Sequence, residues 1–276
     1  MIDLHSHYLP AIDDGARSVE DSIAMLRQAA ADGIEAVVVT PHAFIDSYRE
    51  NTAGRLEDNY QAFVAALAPC AAGGPAGAAP LPRVLLGAEN FVNDRFVLAL
   101  ERGEPVLTLN RTSYVLLEFP LFGAFRHFDR LMSALFARDL TPVFAHPERN
   151  SQFQQDHGLL ASLVGQGVCL QLDSMSLTGG FGSEARALAA HLLKQRLAHL
   201  VASDAHDVDR RRPLLSGARA VAARTVGEAN ADVLFRENPG RIIRGEEVRP
   251  LGGGEPAERP RGRSWLASLF GRGDRS

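Results

Sequence analysis

The sequence has little cysteine and no excess of positive charge. Two cysteines among 276 residues argue against a disulfide framework and fit a reducing cytoplasm. A net charge of −4 disfavours a nucleic-acid-binding protein, which normally presents a basic surface. No apolar run approaches the ~20 residues that span a bilayer, and the N-terminus lacks the basic and apolar regions of a secretory signal. We therefore expect a cytoplasmic protein that binds no nucleic acid.

Hydrophobic residues, in contrast, are plentiful and patterned. They make up 46% of the chain, enough for one large core, and the length is typical of a (β/α) barrel. Ile34–Thr40 is continuous and β-branched, as in a parallel strand covered on both faces. Ser18 before it has the form of a helix N-cap, and Gly33 ends that helix. Repeated alternation of about seven such strands with helices predicts an α/β fold with a parallel sheet that forms a closed or nearly closed barrel.

Histidines and carboxylates follow the predicted strands. His5 and His7 lie two residues apart on the first strand, so their side chains point the same way and can bind one metal ion together. In parallel α/β folds, functional side chains collect at the carboxyl ends of the strands. Imidazole and carboxylate ligands suit Mn, Fe or Zn, so we predict a multinuclear metal site there. The other candidate ligands at strand ends are His42, Glu89, Glu118, His146, Asp204 and His206.

Seven motifs in register carry a family resemblance: M-I-D-L-H-S-H, I-D-D-G, T-P-H, G-A-E, L-L-E-F, A-H-P-E-R and A-S-D-A-H. Their order and spacing resemble the PHP (polymerase and histidinol phosphatase) superfamily. More closely, they are similar to the manganese-dependent protein-tyrosine phosphatases of bacterial capsule and exopolysaccharide loci, the CpsB/CapC type. The similarity extends to about Arg249. It implies the PHP fold, a distorted (β/α)7 TIM-like barrel with the metal site at the C-terminal ends of the strands.

The resemblance also implies a cofactor, three Mn²⁺ ions, although Fe, Co and Zn accept the same ligands. Glu89 would bridge the first two ions. Asp13 is an alternative to Asp14 among the ligands of the third ion. The other implied ligands are His5, His7 and Asp204 for the first ion, Glu118 and His146 for the second, and Asp14, His42 and His206 for the third.

Two arginines are implied to bind the phosphoryl oxygens as catalytic residues. Arg149 follows His146 by three residues, as in the family pattern. The second is Arg212, which is favoured because it precedes a proline, or Arg211, because the arginine run is one residue longer than the pattern. The implied reaction is direct hydrolysis of phosphotyrosine by water activated at the metals. Neither cysteine has an arginine six positions later, so cysteine-based phosphatase chemistry is excluded.

The substrate implied by the resemblance is the phosphotyrosine cluster at the C-terminus of a bacterial tyrosine autokinase, a polysaccharide copolymerase that controls capsule or exopolysaccharide synthesis. Two alternatives remain open. One is a small-molecule phosphoesterase of the histidinol phosphatase type, and the other is a catalytically weak module that docks the kinase. The sequence is also compatible with a homo-oligomer.

Two segments interrupt the alternation of strands and helices. Pro69–Pro82 is mostly Ala, Gly and Pro and is expected to be a loose connection. From Gly252 onward the chain has three glycines, then prolines and arginines, and a short apolar end. We therefore predict a phosphatase domain over 1–249 and a flexible tail over 250–276. The tail either has no role or docks to a membrane surface or a partner.

Overall fold

Parallel strands form the centre of the fold, as the sequence predicts. The computed structural model describes residues 1–72 and 80–252, and every strand pairing among them is parallel. Parallel neighbours need crossover connections, which the helices supply. The strands are β1 (Ile2–Ser6), β2 (Ala36–Val39), β3 (His42–Ala43), β4 (Arg83–Leu86), β5 (Glu89–Phe91), β6 (Tyr114–Glu118), β7 (Thr141–Ala145), β8 (Cys169–Asp173) and β9 (Leu200–Ala202).

These nine strand segments form a barrel of seven positions. They belong to two sheets, in the orders β1-β2-β4 and β3-β5-β6-β7-β8-β9. β3 resumes the course of β2 after two intervening residues, and β5 resumes that of β4 in the same way, so these four segments fill two barrel positions and link the sheets. On the other side, the Asp204 amide donates to the His5 carbonyl over 2.9 Å, and Ser6 pairs with Ala205. The structure confirms the distorted seven-stranded barrel.

The first helix lies where the sequence predicts it, between Ser18 and Gly33. The Ser18 hydroxyl accepts a hydrogen bond from the Asp21 amide over 3.2 Å and caps the first helix. The second helix continues through Pro69 to Ala72, so the loose connection expected from Pro69 is wrong for its first four residues. The alanines there favour helix. The α-helices are α1 (Val19–Ala31), α2 (Ala53–Ala72), α3 (Asp94–Glu101), α4 (Phe128–Phe136), α5 (Ser151–Gln155), α6 (His157–Gly165), α7 (Ser174–Thr178), α8 (Gly182–Lys194), α9 (Ser216–Val226), α10 (Glu228–Asp232) and α11 (Asn238–Ile243).

Both faces of the central strands are covered. Leu117 of β6 packs in a large hydrophobic cluster that includes the helices, whereas its neighbour Leu116 packs in a second, smaller cluster. Phe144 and Val143 of β7 divide between the two clusters in the same way. This coverage explains why the strands are continuous in apolar residues rather than alternating. Within the described ranges, no helix combines the length and the hydrophobicity needed to cross a bilayer.

Hydrogen bonds of the Asn238 side chain connect the end of the described chain to the barrel. Its side-chain amide donates to the carbonyls of His199 and Arg249, each over 2.8 Å, and its Oδ1 atom accepts from the Arg249 amide. Leu251 is buried, and the Gly252 amide donates to Asn230. Ordered packing therefore continues to Gly252, and the rest of the predicted tail, residues 253–276, lies outside the described residues.

Candidate metal centre

The ends of three barrel strands bring four buried ligand-type side chains together. His5 and His7 come from the end of β1, Glu89 begins β5, and Asp204 follows β9. The His5 Nε2 atom lies 3.2 Å from Glu89 Oε1 and 3.3 Å from Asp204 Oδ1. The His7 Nε2 atom lies 3.4 Å from each of the same two carboxylates. These are the residues expected around the first ion, including the bridging Glu89.

A second group forms around Asp14 at the rim of the barrel. The Asp14 Oδ1 atom lies 3.3 Å from His42 Nε2 and 3.4 Å from His206 Nε2, and the His7 ring completes the group. Asp13 does not join it, because its carboxylate accepts from His7 Nδ1 over 2.7 Å and from the His42 amide over 3.1 Å. Asp14 therefore has the position of a ligand, and Asp13 orients the His7 ring from behind.

A third group places Glu118 beside His42 and Glu89. The His42 Nδ1 atom lies 3.0 Å from Glu89 Oε2 and 3.7 Å from Glu118 Oε2. His146, expected to share an ion with Glu89 and Glu118, lies with its Nε2 atom 3.0 Å from the other oxygen of Glu89 and 3.8 Å from Asp204 Oδ2. Glu89 is thus central to the whole cluster, because its two oxygens face four imidazoles.

Two residues of the cluster adopt the left-handed backbone conformation directly after their strands. His146 has φ 32° and Asp204 has φ 51°. Such conformations cost non-glycine residues about 1–3 kcal/mol and concentrate at functional sites. The sharp turn places each side chain back over the barrel end instead of letting the chain continue outward. Both strained residues belong to the cluster: His146 faces Glu89, and Asp204 faces the imidazoles of His5 and His7.

The charges of the cluster shift its ionisation strongly. Burial lowers the pKa of His5, but the carboxylates of Glu89 and Asp204 outweigh it and raise that pKa to about 8. Burial raises the pKa of Glu118, and repulsion from Glu89 adds to it, so that pKa reaches about 8. Burial and the charge of Arg149 lower the pKa of His146 to about 4, which keeps its imidazole neutral. In the absence of metal, protons on these groups therefore balance the charge of the carboxylates. Bound metal ions would take the place of those protons.

The donor set fits divalent cations. Glu118 Oε2 is buried without a hydrogen-bond partner, although buried polar atoms are normally paired. In each of the three groups, the nearest ligand atoms all lie within 4.8 Å of one another. Nitrogen and oxygen donors of this kind suit Mn, Fe, Co or Zn, and shared carboxylates suit ions that lie close together.

A glutamine that the sequence analysis missed supports the first group from behind. Gln171 of β8 is fully buried, and its Oε1 atom lies 2.9 Å from His5 Nδ1. Metal-binding histidines usually donate their second ring N–H to such an acceptor, which fixes the ring orientation. A polar residue inside the apolar run C-L-Q-L-D was the signal that could have found it.

Two arginines lie on the Asp204 side of the cluster, and the second is Arg211 rather than the favoured Arg212. Arg149 Nη1 donates to Asp204 Oδ2 over 2.8 Å. Arg211 donates to the same oxygen, and its Nη1 atom lies 2.9 Å from His206 Nε2. The His206 amide bonds to the Arg211 carbonyl over 2.9 Å, which closes the loop and turns Arg211 inward.

The next side chain along this loop consequently points away from the cluster. The guanidinium of Arg212 is exposed and faces the side-chain amide of Gln28 on α1, which accepts from it over 3.0 and 3.2 Å when the amide oxygen is turned toward it. The preference for Arg212, based on the proline after it, is therefore not supported by the geometry.

A cavity of about 400 Å³ opens beside the second group. Asp14 and His206 form its inner end, the exposed Ala24 of α1 lines one side, and Arg17 and Arg210 lie at its polar walls. Its volume falls in the range of ordinary ligand pockets. A molecule bound at the cluster therefore has room to extend between α1 and the loop after β9.

The comparisons with known proteins agree with this site. Residues 1–244 match the model of the family described as capsular polysaccharide synthesis, CpsB/CapC. The chain is 34% identical to tyrosine-protein phosphatase YwqE of Bacillus subtilis, over 90% of this chain and 93% of that protein. It is 30% identical to tyrosine-protein phosphatase CpsB of Streptococcus pneumoniae, over 88% of this chain and 98% of that protein.

A solved structure shows the same likeness in three dimensions. It comes from a study of YwqE from Bacillus subtilis and CpsB from Streptococcus pneumoniae, described there as unique metal-dependent tyrosine phosphatases. The match has a TM-score of 0.82 at 33% identity and covers 94% of this chain and 100% of that one. The similarity thus spans the barrel and all the residues of the cluster.

Proposed function

The chain belongs to the CpsB/CapC family of capsular polysaccharide synthesis, and from this premise we propose that it is a metal-dependent protein-tyrosine phosphatase. One observation carries the proposal. Three groups of histidines and carboxylates share His7, His42 and Glu89, and two arginines converge on Asp204 at the edge of the same cluster. This arrangement places cation ligands and phosphate-binding side chains around one space.

We propose that the cluster holds up to three Mn²⁺ ions. Bound divalent cations lower the pKa of water to about 7 and neutralise charge on phosphoryl oxygens. The ligands of this proposal are His5, His7, Asp14, His42, Glu89, Glu118, His146, Asp204 and His206.

The chain's own residues contribute binding and orientation. Arg149 and Arg211 bind the phosphoryl oxygens, because the planar guanidinium fork suits phosphate. Asp13 and Gln171 accept from the second ring nitrogens of His7 and His5 and hold those rings toward the cluster. Tyrosine leaves with a pKa near 10, so it needs less protonation than an aliphatic alcohol. We infer direct hydrolysis without a covalent phosphoenzyme.

The substrate we propose is the phosphotyrosine-bearing C-terminal segment of a bacterial tyrosine autokinase, in the cytoplasm. The cavity next to Asp14 and His206 supports a polypeptide substrate, since it offers space beyond a phosphate group. We assign the phosphatase domain to residues 1–252, three residues beyond the predicted boundary, because Leu251 and Gly252 pack against it, and a tail to 253–276. The tail remains a candidate for contact with a partner or a membrane surface.

The test is hydrolysis by purified protein supplied with Mn²⁺. We expect release of phosphate from a phosphotyrosine peptide and little from histidinol phosphate. His5→Ala should abolish turnover and reduce the bound manganese measured by elemental analysis. His157→Ala is the matched control, because His157 is an exposed histidine outside the cluster. Activity on histidinol phosphate alone would favour the small-molecule phosphoesterase, and kinase regulation that survives His5→Ala in cells would favour a docking module.

A further inference from the structure

The short loop between α7 and α8 places one aromatic ring beside the phosphate-binding arginines. Gly179 ends α7 with φ +95°, and Gly182 begins α8 with φ +89°, conformations that favour glycine. At Gly180 a Cβ atom would lie 2.7 Å from the terminal methyl group of Met175 and 3.2 Å from its Cβ atom, so a larger residue there would require the Met175 side chain to shift. Gly179 and Gly182 thus shape the loop that carries Phe181.

The Phe181 ring lies against Arg149 and near Arg211. The Cζ atom of Arg149 lies 4.0 Å from the ring centroid, and the Cζ atom of Arg211 lies 6.0 Å from it. The first distance is well within the range of cation–π attraction, and the second is at its outer limit. Arg149 follows β7 and Arg211 follows β9, so the ring connects guanidiniums that arrive from different strands of the barrel.

The two guanidiniums need such a partner. Both donate to one oxygen of Asp204, and like charges so close repel each other. Asp204 is also a proposed metal ligand, so its carboxylate is shared between cations and arginines. Asp173 Oδ2 is 3.7 Å from Arg149, beyond hydrogen-bond distance. The negative face of the Phe181 ring attracts both guanidiniums without occupying an N–H group, so the N–H groups that do not bond to Asp204 or His206 remain available to an anion.

We propose that Phe181 is a positioning residue that holds Arg149 and Arg211 side by side as one phosphate-binding pair. The inference rests on the proposed function, in which these arginines bind the phosphoryl group. It predicts a role in binding, since the ring has no part in the chemical step. Removal of the ring face should therefore weaken phosphate binding and raise KM more than it lowers kcat.

The experiment compares Phe181→Leu with Phe181→Tyr and Phe181→Trp in the full-length protein loaded with Mn²⁺. Binding of inorganic phosphate is measured by calorimetry, and hydrolysis of p-nitrophenyl phosphate gives kcat and KM. We expect Phe181→Leu to weaken phosphate binding and raise KM by about tenfold, in line with cation–π contacts. At least one aromatic variant should stay within about threefold of wild type. Phe122→Leu is the matched control, because Phe122 is 83% exposed and is placed in no site.

Three results would overturn the inference: wild-type phosphate affinity in Phe181→Leu, a loss in both aromatic variants as large as in Phe181→Leu, or a loss of bound manganese that accounts for the whole effect. Thermal unfolding of each variant shows whether the fold is intact. Phosphate binding is measured whichever ester the enzyme hydrolyses. Failure of the wild-type protein to act on phosphotyrosine would therefore reject the proposed function without deciding the role of Phe181.

Discussion

Arg211→Ala and Arg212→Ala, made separately, test which of these neighbouring arginines binds the phosphoryl group. Arg211 donates to Asp204 and lies 2.9 Å from His206 Nε2, so it is at the cluster. A hydrogen bond to a charged group contributes about 1.5–3 kcal/mol. If Arg211 makes one such bond to the phosphoryl group, its loss should lower kcat/KM by about 10- to 150-fold, at 1.4 kcal/mol per tenfold. Arg212→Ala should change kcat/KM less than about threefold, because its guanidinium faces Gln28.

The assay is steady-state hydrolysis of p-nitrophenyl phosphate and of a phosphotyrosine peptide, with manganese content measured in parallel. Arg211→Lys should fall between wild type and Arg211→Ala, because lysine keeps the charge but not the planar fork. The reasoning is refuted if Arg212→Ala loses more activity than Arg211→Ala. Equal losses in both would show that the loop reorganises and that the observed orientation does not govern binding.

Three further outcomes are expected. Gln171→Ala should weaken Mn²⁺ affinity about 10- to 100-fold, as is usual for residues that orient metal-binding histidines. Titration with Mn²⁺ measures this affinity, and an unchanged value would show that Gln171 does not orient His5. In the same titration, Asp13→Asn should weaken Mn²⁺ affinity less than Asp14→Ala does. Asp13 contacts the back of the His7 ring, whereas Asp14 faces the cluster directly. In metal-free protein, the pKa values of His5 and Glu118, both raised to about 8, mean that the folded state retains protons that the unfolded chain releases. Stability should therefore fall as pH rises from about 6.5 to 8, a trend that thermal unfolding checks and Glu118→Gln should reduce.

The barrel and the position of most candidate ligands at one end of it were predictable because both depend on local patterns. His5 and His7 follow from the two-residue period of a strand. Glu118 and His146 could be placed at the same end because they follow apolar runs, and all parallel strands end on one side.

What the sequence could not supply are relationships between separate loops. Arg211 and Arg212 are indistinguishable until the bond between His206 and the Arg211 carbonyl fixes the turn. The proximity of Glu118 to His42 depends on how β3 and β6 lie on either side of β5. Phe181 gave no signal, because a phenylalanine between glycines is as consistent with a surface loop as with a contact to two arginines.

The carboxylate of Asp204 has one oxygen toward the imidazoles of His5 and His7 and the other toward Arg149 and Arg211. Its single negative charge therefore interacts both with a cation bound beside the imidazoles and with the two guanidiniums. A cation that draws on this charge weakens its hold on the guanidiniums and makes them better anion receptors. Reciprocity then requires that an anion on the arginines strengthen the cation's attachment by an equal factor. Occupancy by manganese and by phosphate should consequently rise together in this enzyme.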